Sequence, residues 1–528
     1  MDMTPLPPAR WSNELAAHLL NRAGFGAPPD VVEAVFRMGH RRAVRALMTG
    51  ELPLRPLGGV VVEPAWYHHD DGKEAEIRAE QKELRQQKRE VKDFSAREVI
   101  TKRERELRQQ LNRMRRQRST EMTRWWFETM RTASDPLLEK MTLFWHGHFA
   151  TSLEKVNEPR LMLRQNMTFR EHGMGDVREL TRKMAYDPAM MIYLDIQQSH
   201  RNKPNENYGR ELLELFTLGE GNYTEKDIKE AARAFTGIRW NRETDVVRMN
   251  PKLHDSEPKK FLGEVGRHGP DEIVDIIFSQ DRASEFLAHK LLRYFLVDSP
   301  PRRMVMALAL EIRRVKYDMR RTLGAMFSAE WFFRRPYVRA QIKSPIEFLT
   351  QLMIQLELGD VPENLVMHCQ KSLGQQLFRP PNVAGWPGGK LWITTDTLLE
   401  RYNIAGIFSR AHCDPDYAVE AMGVVGRKRP QLKDGDNARR RKRLLAQLRK
   451  QVPRPDIEKI APLELRARPD QMVDALAQRF YQFPMRREDR DSFVAFAESR
   501  VDGGKPLAEK DLAELVHLML STPYYQLT

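Results

Sequence analysis

Cysteine is almost missing from this chain: Cys369 and Cys413 are the only two in 528 residues. They stand in no Cys-x-x-Cys or other ligand spacing, so neither a disulfide framework nor a zinc-thiolate signature is read, and two buried free thiols are expected. Long apolar runs are missing as well. No stretch approaches the ~18 consecutive apolar residues of a membrane-spanning helix. The opening Met1-Asp2-Met3-Thr4-Pro5-Leu6-Pro7-Pro8 has no basic stretch followed by an apolar one, so no secretory leader is read and cytoplasmic residence is the expectation. Strand signals are equally sparse, with one short hairpin expected around Ile238 to Met249, where Trp240, Val246 and Val247 surround Asn241-Arg242-Glu243-Thr244. The phosphate-loop spacing Gly-x4-Gly-Lys-Ser/Thr does not occur in the glycine-rich stretch Gly385 to Lys390. No repeat of constant period is found.

Hydrophobic residues make up 41% and charged residues 30% of the chain, and mean hydropathy is −0.60, which fits a globular protein with polar excursions. The length favours two packed helical subdomains over one core. The net charge is +14, and its placement matters more than its size. The segments Lys73 to Arg118 and Arg427 to Lys450 carry +7 and +9, which leaves the rest of the chain at −2. The first has Ile77, Leu84 and Val91 seven residues apart and Leu107, Leu111 and Met114 at spacings of four and three, a coiled-coil or helical-hairpin pattern. The second runs from a polar loop into Arg439-Arg440-Arg441-Lys442-Arg443. Solvated insertions are the expected reading of both. Nucleic-acid binding is disfavoured, because the first holds a single aromatic, Phe94, and no interleaved set to stack bases.

Elsewhere helix follows helix, opened by Pro, Asp, Ser or Asn and closed by Gly. Helices are expected over Ser12 to Ala23, from Pro29-Asp30 to Gly39, and over Glu272 to Phe278, Ala283 to Phe295, Met304 to Val315, Arg320 to Phe327, Ile346 to Leu356 and Leu512 to Leu520. The fold class read from this is all-α: an irregular multi-helix array with a long charged helical insertion and a basic loop/helix insertion. Its parts are 1–72, the N-terminal part of the core; 73–118, the charged insertion; 119–426, the main core with the candidate site; 427–460, the basic insertion; and 461–528, the helices completing the core.

Four segments can carry chemistry. Asp135-Pro136 opens a helix that is apolar over most of its circumference and therefore buried. At ~100° per residue Glu139 and His146 lie about 20° apart on it, with Thr142 nearby, so this stripe must meet polar partners. His146 and His148 diverge by about 160° on a continuing helix, and can share a metal only if the helix stops at Gly147. After Asp187 to Asp195 comes a helix on which Glu206, Arg210 and Glu214 are spaced i, i+4, i+8. Ion pairs on a wet face explain these three, whereas Asn205-Glu206-Asn207 at the helix start can also orient a ligand or a metal-bound carboxylate. His254-Asp255 sets an imidazole beside a carboxylate in a loop, the usual home of a site. In the rigid stretch Phe378 to Lys390, Trp386, together with Trp392 just beyond, either lines a pocket or packs a proline-rich loop.

Several longer stretches stand out: HLLNRAGFG at His18 to Gly26, EKMTLFWHGHFATS at Glu139 to Ser152, DPAMMIYLD at Asp187 to Asp195 and PNENYGRELLELFTLGEGNYTEKDIKEAARAFTG at Pro204 to Gly237. They continue with HDSEPKKFLG at His254 to Gly263, FRPPNVAGWPGGKLWI at Phe378 to Ile393 and the tail STPYYQL. In these elements and their order the chain resembles the domain-of-unknown-function 1800 family. The resemblance implies a bacterial origin and an uncharacterised function. It also implies a partner of the domain-of-unknown-function 1501 family, whose members often bear a twin-arginine signal, so export in complex with such a partner is the alternative to cytoplasmic residence.

Two functions from different classes follow. The first is a metal-assisted enzyme, hydrolytic or oxidative. A divalent ion would be held by a set drawn from His146, His148, Asp195, Glu206, Glu211 and His254, with Glu139 and Asp255 as acid/base groups and Asn205 and Arg210 orienting the substrate. The second is a helical binding or assembly protein whose polar clusters are structural. Both expect His146 to be buried in a polar cluster with Glu139 and carboxylates of the Asn205 to Glu211 region.

Overall fold

The computed structural model describes residues 3–54, 61–68, 72–359, 361–421, 454–501 and 505–528. The basic segment Arg427 to Lys450 lies outside the described residues. The fold is all-α. The helices expected from capping and periodicity are present as Asn13–Ala23, Pro29–Met38, Pro270–Ser279, Asp281–Phe295, Arg302–Arg314, Met319–Ser328, Pro345–Gln355 and Glu509–Leu520. Strands among the described residues are confined to two antiparallel pairs. One is the expected hairpin, Ile238–Asn241 against Val246–Met249, with Trp240 opposite Val247. The other pairs Lys259–Phe261 with Glu264–Gly266. No helix among the described residues is long and apolar enough to cross a membrane.

The apolar side chains gather into two large cores. The first takes in the N-terminal helices and most of the chain from Phe169 to Phe333. The second joins Met122 to Met130 with the C-terminal helices from Ile346 to Tyr525. Helix Pro136–His148 lies between them, giving Leu137, Met141, Phe144 and Trp145 to the first core and Leu143 to the second. Its start is fixed by Asp135, whose carboxylate accepts from the Leu138 amide at 3.0 Å, with Pro136 at the first helical position.

The charged segment forms two helices, Lys73–Glu90 and Phe94–Thr132, that pack on each other. The second is one continuous helix across the boundary read at residue 118. Its far half carries Trp125, Trp126, Phe127 and Met130 into the second core. Asp93 caps it, accepting from the Ala96 amide at 2.8 Å. The hairpin has a small core of its own, with Ile77, Leu107 and Leu111 buried and Leu84 and Met114 against them. Val91 falls at the end of the first helix and takes no part. Part of the segment's positive charge is answered by nearby carboxylates: Glu74 pairs with Arg78, Arg115 and Arg118, and Glu158, outside the segment, with Arg78, Arg115 and Arg242. Lys88 pairs with Glu104 and Arg103 with Glu80.

Because the hairpin core is separate from the two large ones, Leu107→Ala should loosen the hairpin by about 2–5 kcal/mol without unfolding the rest. Native-state hydrogen exchange checks this: protection should drop across residues 73–114 and hold around Trp126 and Met141. A matching loss at both places would show that the hairpin is not an independent unit.

Candidate functional site

Five polar side chains project from the buried helix Pro136–His148; four are answered from other parts of the chain and Thr142 from within the helix. Glu139 accepts from the Arg170 guanidinium at 2.7 Å and from the Trp126 indole at 3.1 Å. Burial pushes its carboxyl up, and Arg170 opposes that shift. Lys140 is enclosed and binds the Glu347 carboxylate and the Gly24 carbonyl. Burial lowers its ammonium against the pull of Glu347. Burial acts upward on Glu347, but Lys140 and the Ser344 amide, which donates at 2.7 Å, outweigh it and hold the carboxyl down. Thr142 returns its hydroxyl to the Leu138 carbonyl.

The two histidines take opposite roles. His146 Nε2 accepts from the Phe378 amide at 3.1 Å, so this nitrogen is bare and a neutral ring carries its proton on Nδ1. The ring is enclosed by Trp126, Phe378 and Trp386. His148 Nε2 meets the Phe216 carbonyl at 3.0 Å and must donate to it, which leaves Nδ1 as a bare acceptor. That Nδ1 is buried and has no hydrogen-bond partner. Burial pushes both rings down to about 3, helped at His148 by Lys290, so both are neutral at physiological pH. The Phe216 carbonyl belongs to a π-helical turn, Leu212–Thr217, that continues helix Glu206–Glu211. Such a turn shifts the backbone pairing by one residue.

His148 opens onto a cavity of about 190 Å³. Its walls include Phe144 and Gly147 from the same helix, Lys290, Arg293 and Tyr294 from helix Asp281–Phe295, and Asp298, Gln341 and Glu347. The turn Trp386-Pro387-Gly388-Gly389 and Trp392 complete them. Two glycines let that turn approach. Gly385 has φ +85°, and a Cβ there would stand 2.2 Å from the Gly147 carbonyl oxygen; Gly389 has φ +59°, and a Cβ there would stand 2.0 Å from an Asp298 carboxylate oxygen. The Trp386 ring packs on His146 and lines the cavity, while its buried Nε1 donates to nothing. Lys290 has no carboxylate partner among the described residues. Its ammonium lies 5.3 Å from the Phe286 ring centroid, and burial with Arg293 nearby lowers it to about 8. Behind the cavity, Arg22, Lys140, Lys343 and Arg401 all feel Glu347 as an acidic neighbour. Arg22 also feels Asp298, and burial pushes the Lys343 ammonium well down.

The family model described as a protein of unknown function, DUF1800, matches residues 18–527. The chain belongs to the DUF1800 family. No curated protein and no solved structure matches it. The residues read from sequence in this DUF1800 chain are placed as follows. Glu139 and His146 do share a face, both touching Trp126, but the polar answer comes from Arg170 and the Phe378 amide, not from the Asn205 to Glu211 region. The helix continues through Gly147 to His148, so the two imidazoles point apart and cannot share an ion. His254 Nδ1 meets the Thr236 carbonyl at 2.9 Å, and Asp255 takes the Arg233 guanidinium at 2.8 Å. Asp195 pairs with Lys155. Asn205 caps its helix through the Asn207 amide, Arg210 pairs with Glu225 and Glu206, and Glu211 is half-buried beside Glu214. Among the described residues, none of His146, His148, Asp195, Glu206, Glu211 and His254 belongs to a set of three close enough to hold one ion.

Of the groups that do converge, sequence reading named His148 and offered Trp386 and Trp392 as candidates. Lys290 and Arg293 went unnoticed because, three apart on an amphipathic helix, they read as wet-face charges, and Glu347 because it closes the capping box Ser344-Pro345-Ile346-Glu347.

Two predictions test this arrangement. Because the folded rings titrate near 3 while unfolded histidine titrates near 6.5, the unfolded chain takes up more protons below about pH 6.5. Each buried ring therefore costs ~1.4 kcal/mol of stability per pH unit on acidification. His146→Gln should flatten the fall of urea stability between pH 6.5 and 4.5 by about that slope, and an unchanged slope would contradict a neutral buried ring. Separately, Gly385→Ala should destabilise by more than ~1 kcal/mol, since it adds a strained φ to a collision with Gly147. A variant with unchanged melting would mean the turn can move aside.

Proposed function

We propose that the protein binds a small organic anion in the cavity between His148, Lys290 and Trp386. The observation that carries this is the set of unused polar groups on residues lining one half-open cavity: a bare imidazole nitrogen, an indole N–H and an ammonium without a carboxylate partner. Unpaired buried polar groups cost roughly 1–3 kcal/mol each, which a ligand that pairs with them recovers. The ammonium, with Arg293 beside it, suits a carboxylate or phosphate. The Trp386 N–H suits a further oxygen, and His148 Nδ1 suits a ligand hydroxyl or N–H. The volume suits a compact metabolite, below the ~300 Å³ at which drug-sized sites begin. An amine titrating near 8 can also exchange a proton close to neutral pH, so the same pocket supports acid–base chemistry on the ligand it holds.

The test is calorimetry and thermal shift of the full chain against matched pairs of small anions and their neutral amides or alcohols. An anion should stabilise saturably where its neutral partner does not, and its affinity should fall as pH rises past about 8 and Lys290 loses its charge. Lys290→Met should weaken it at least tenfold and Trp386→Phe severalfold. Equal binding by Lys290→Met, or stabilisation no greater than that given by chloride at the same ionic strength, would refute the proposal.

A further inference from the structure

Away from this pocket, the end of helix Thr395–Arg410 meets the start of helix Glu509–Leu520. The chain leaves the first helix in a turn, with the Cys413 and Asp414 amides returning to the Arg410 carbonyl at 3.0 and 2.9 Å. This turn sets His412 and Cys413 side by side facing Glu509. One donor atom from each of the three lies within 4.8 Å of the others, the one such His/Cys/Asp/Glu group among the described residues. His412 Nε2 is 3.2 Å from a Glu509 carboxylate oxygen, and Cys413 Sγ is 3.9 Å from the same oxygen.

The His412 side chain is 6% exposed; its Nε2 faces the Glu509 carboxylate, and its Nδ1 has no partner among the described residues. The 3.2 Å approach to Glu509 is poorly aligned for a hydrogen bond, so a buried imidazole is aimed at a carboxylate with one nitrogen left unanswered. Three ligands around one ion produce this geometry naturally. For Zn²⁺ bond lengths of about 2.0–2.3 Å and tetrahedral angles, nitrogen and oxygen stand about 3.3 Å apart and sulfur and oxygen about 3.5 Å. The two separations to the Glu509 oxygen, 3.2 and 3.9 Å, lie within about 0.4 Å of these, and the imidazole nitrogen and thiol sulfur lie within 4.8 Å of each other.

We propose that His412, Cys413 and Glu509 bind a single divalent metal ion of the zinc type, clipping the two helices together. The donor set is one imidazole nitrogen, one thiolate and one carboxylate oxygen, which suits zinc and excludes the hard ions calcium and magnesium. Glu509 is 54% exposed, so water has access to a fourth position. The ligands at 413 and 509 are 96 residues apart, and the span between them contains the basic segment Arg427 to Lys450. The ion would therefore close a long loop, where a clip constrains the unfolded chain most.

The experiment uses the full chain, stripped with chelator and titrated with Zn²⁺, and with Co²⁺ as a spectroscopic substitute. One equivalent should bind, raise the melting temperature and, with Co²⁺, give a thiolate-to-metal charge-transfer band. Cys413→Ser should abolish the band and weaken Zn²⁺ at least tenfold. Glu509→Gln, a change at an exposed side chain, should weaken Zn²⁺ while leaving the metal-free melting temperature unchanged. Cys369→Ser should alter neither, since that thiol is fully buried elsewhere in the second core. Binding insensitive to both Cys413→Ser and Glu509→Gln, a band that disappears with Cys369→Ser, or no binding of Zn²⁺ at all would overturn the proposal.

Discussion

A helix that is buried on all sides and still carries two carboxylate-or-amine side chains and two imidazoles dictates much of what surrounds it. Helix Pro136–His148 separates two apolar cores, so water reaches few of its polar atoms, and every one of them needs an answer from protein. Those answers come from far along the chain: Arg170 and Trp126 for Glu139, Glu347 and Gly24 for Lys140, Phe378 for His146 and Phe216 for His148. Each bond pins another element against the helix. The DUF1800 fold is in this sense assembled around the polar obligations of one element, while the apolar cores supply the bulk of the burial.

The candidate pocket exists because one of these obligations is met at only one end. His148 spends Nε2 on Phe216 and keeps Nδ1 unused, and Trp386, which covers His146, keeps its own N–H unused. The Gly385 to Gly389 turn brings these groups to one cavity, because backbone without side chains can lie directly on Gly147 and Asp298.

What the sequence made legible follows the range of each interaction. Capping residues act over three or four positions, so Asp135-Pro136 and Pro29-Asp30 announced their helices correctly. The heptad spacing of Ile77 and Leu84 with Leu107, Leu111 and Met114 announced the hairpin, because both sides of that small core are local. The burial of helix Pro136–His148, and the need to answer its polar stripe, also followed from its pattern. Who would answer did not. The Phe378 amide is 232 residues from His146 and is a backbone group with no side-chain signature. The π-helical turn at Leu212–Thr217 reads as ordinary helix by periodicity, since one shifted residue barely alters the pattern. The adjacent His412 and Cys413 show no ligand spacing, because their third partner arrives from another helix.

Helix Phe94–Thr132 carries one further consequence. Its 39 residues make a rod of about 58 Å, with the exposed Phe94 at one end and Trp126 near the other. Trp126 is the indole that holds Glu139 and lies against His146, one ring away from Trp386 and the pocket wall. The same helix thus belongs to two cores at once: its first half closes the small hairpin core, and its second half is built into the second core, where it supplies the indole that answers Glu139.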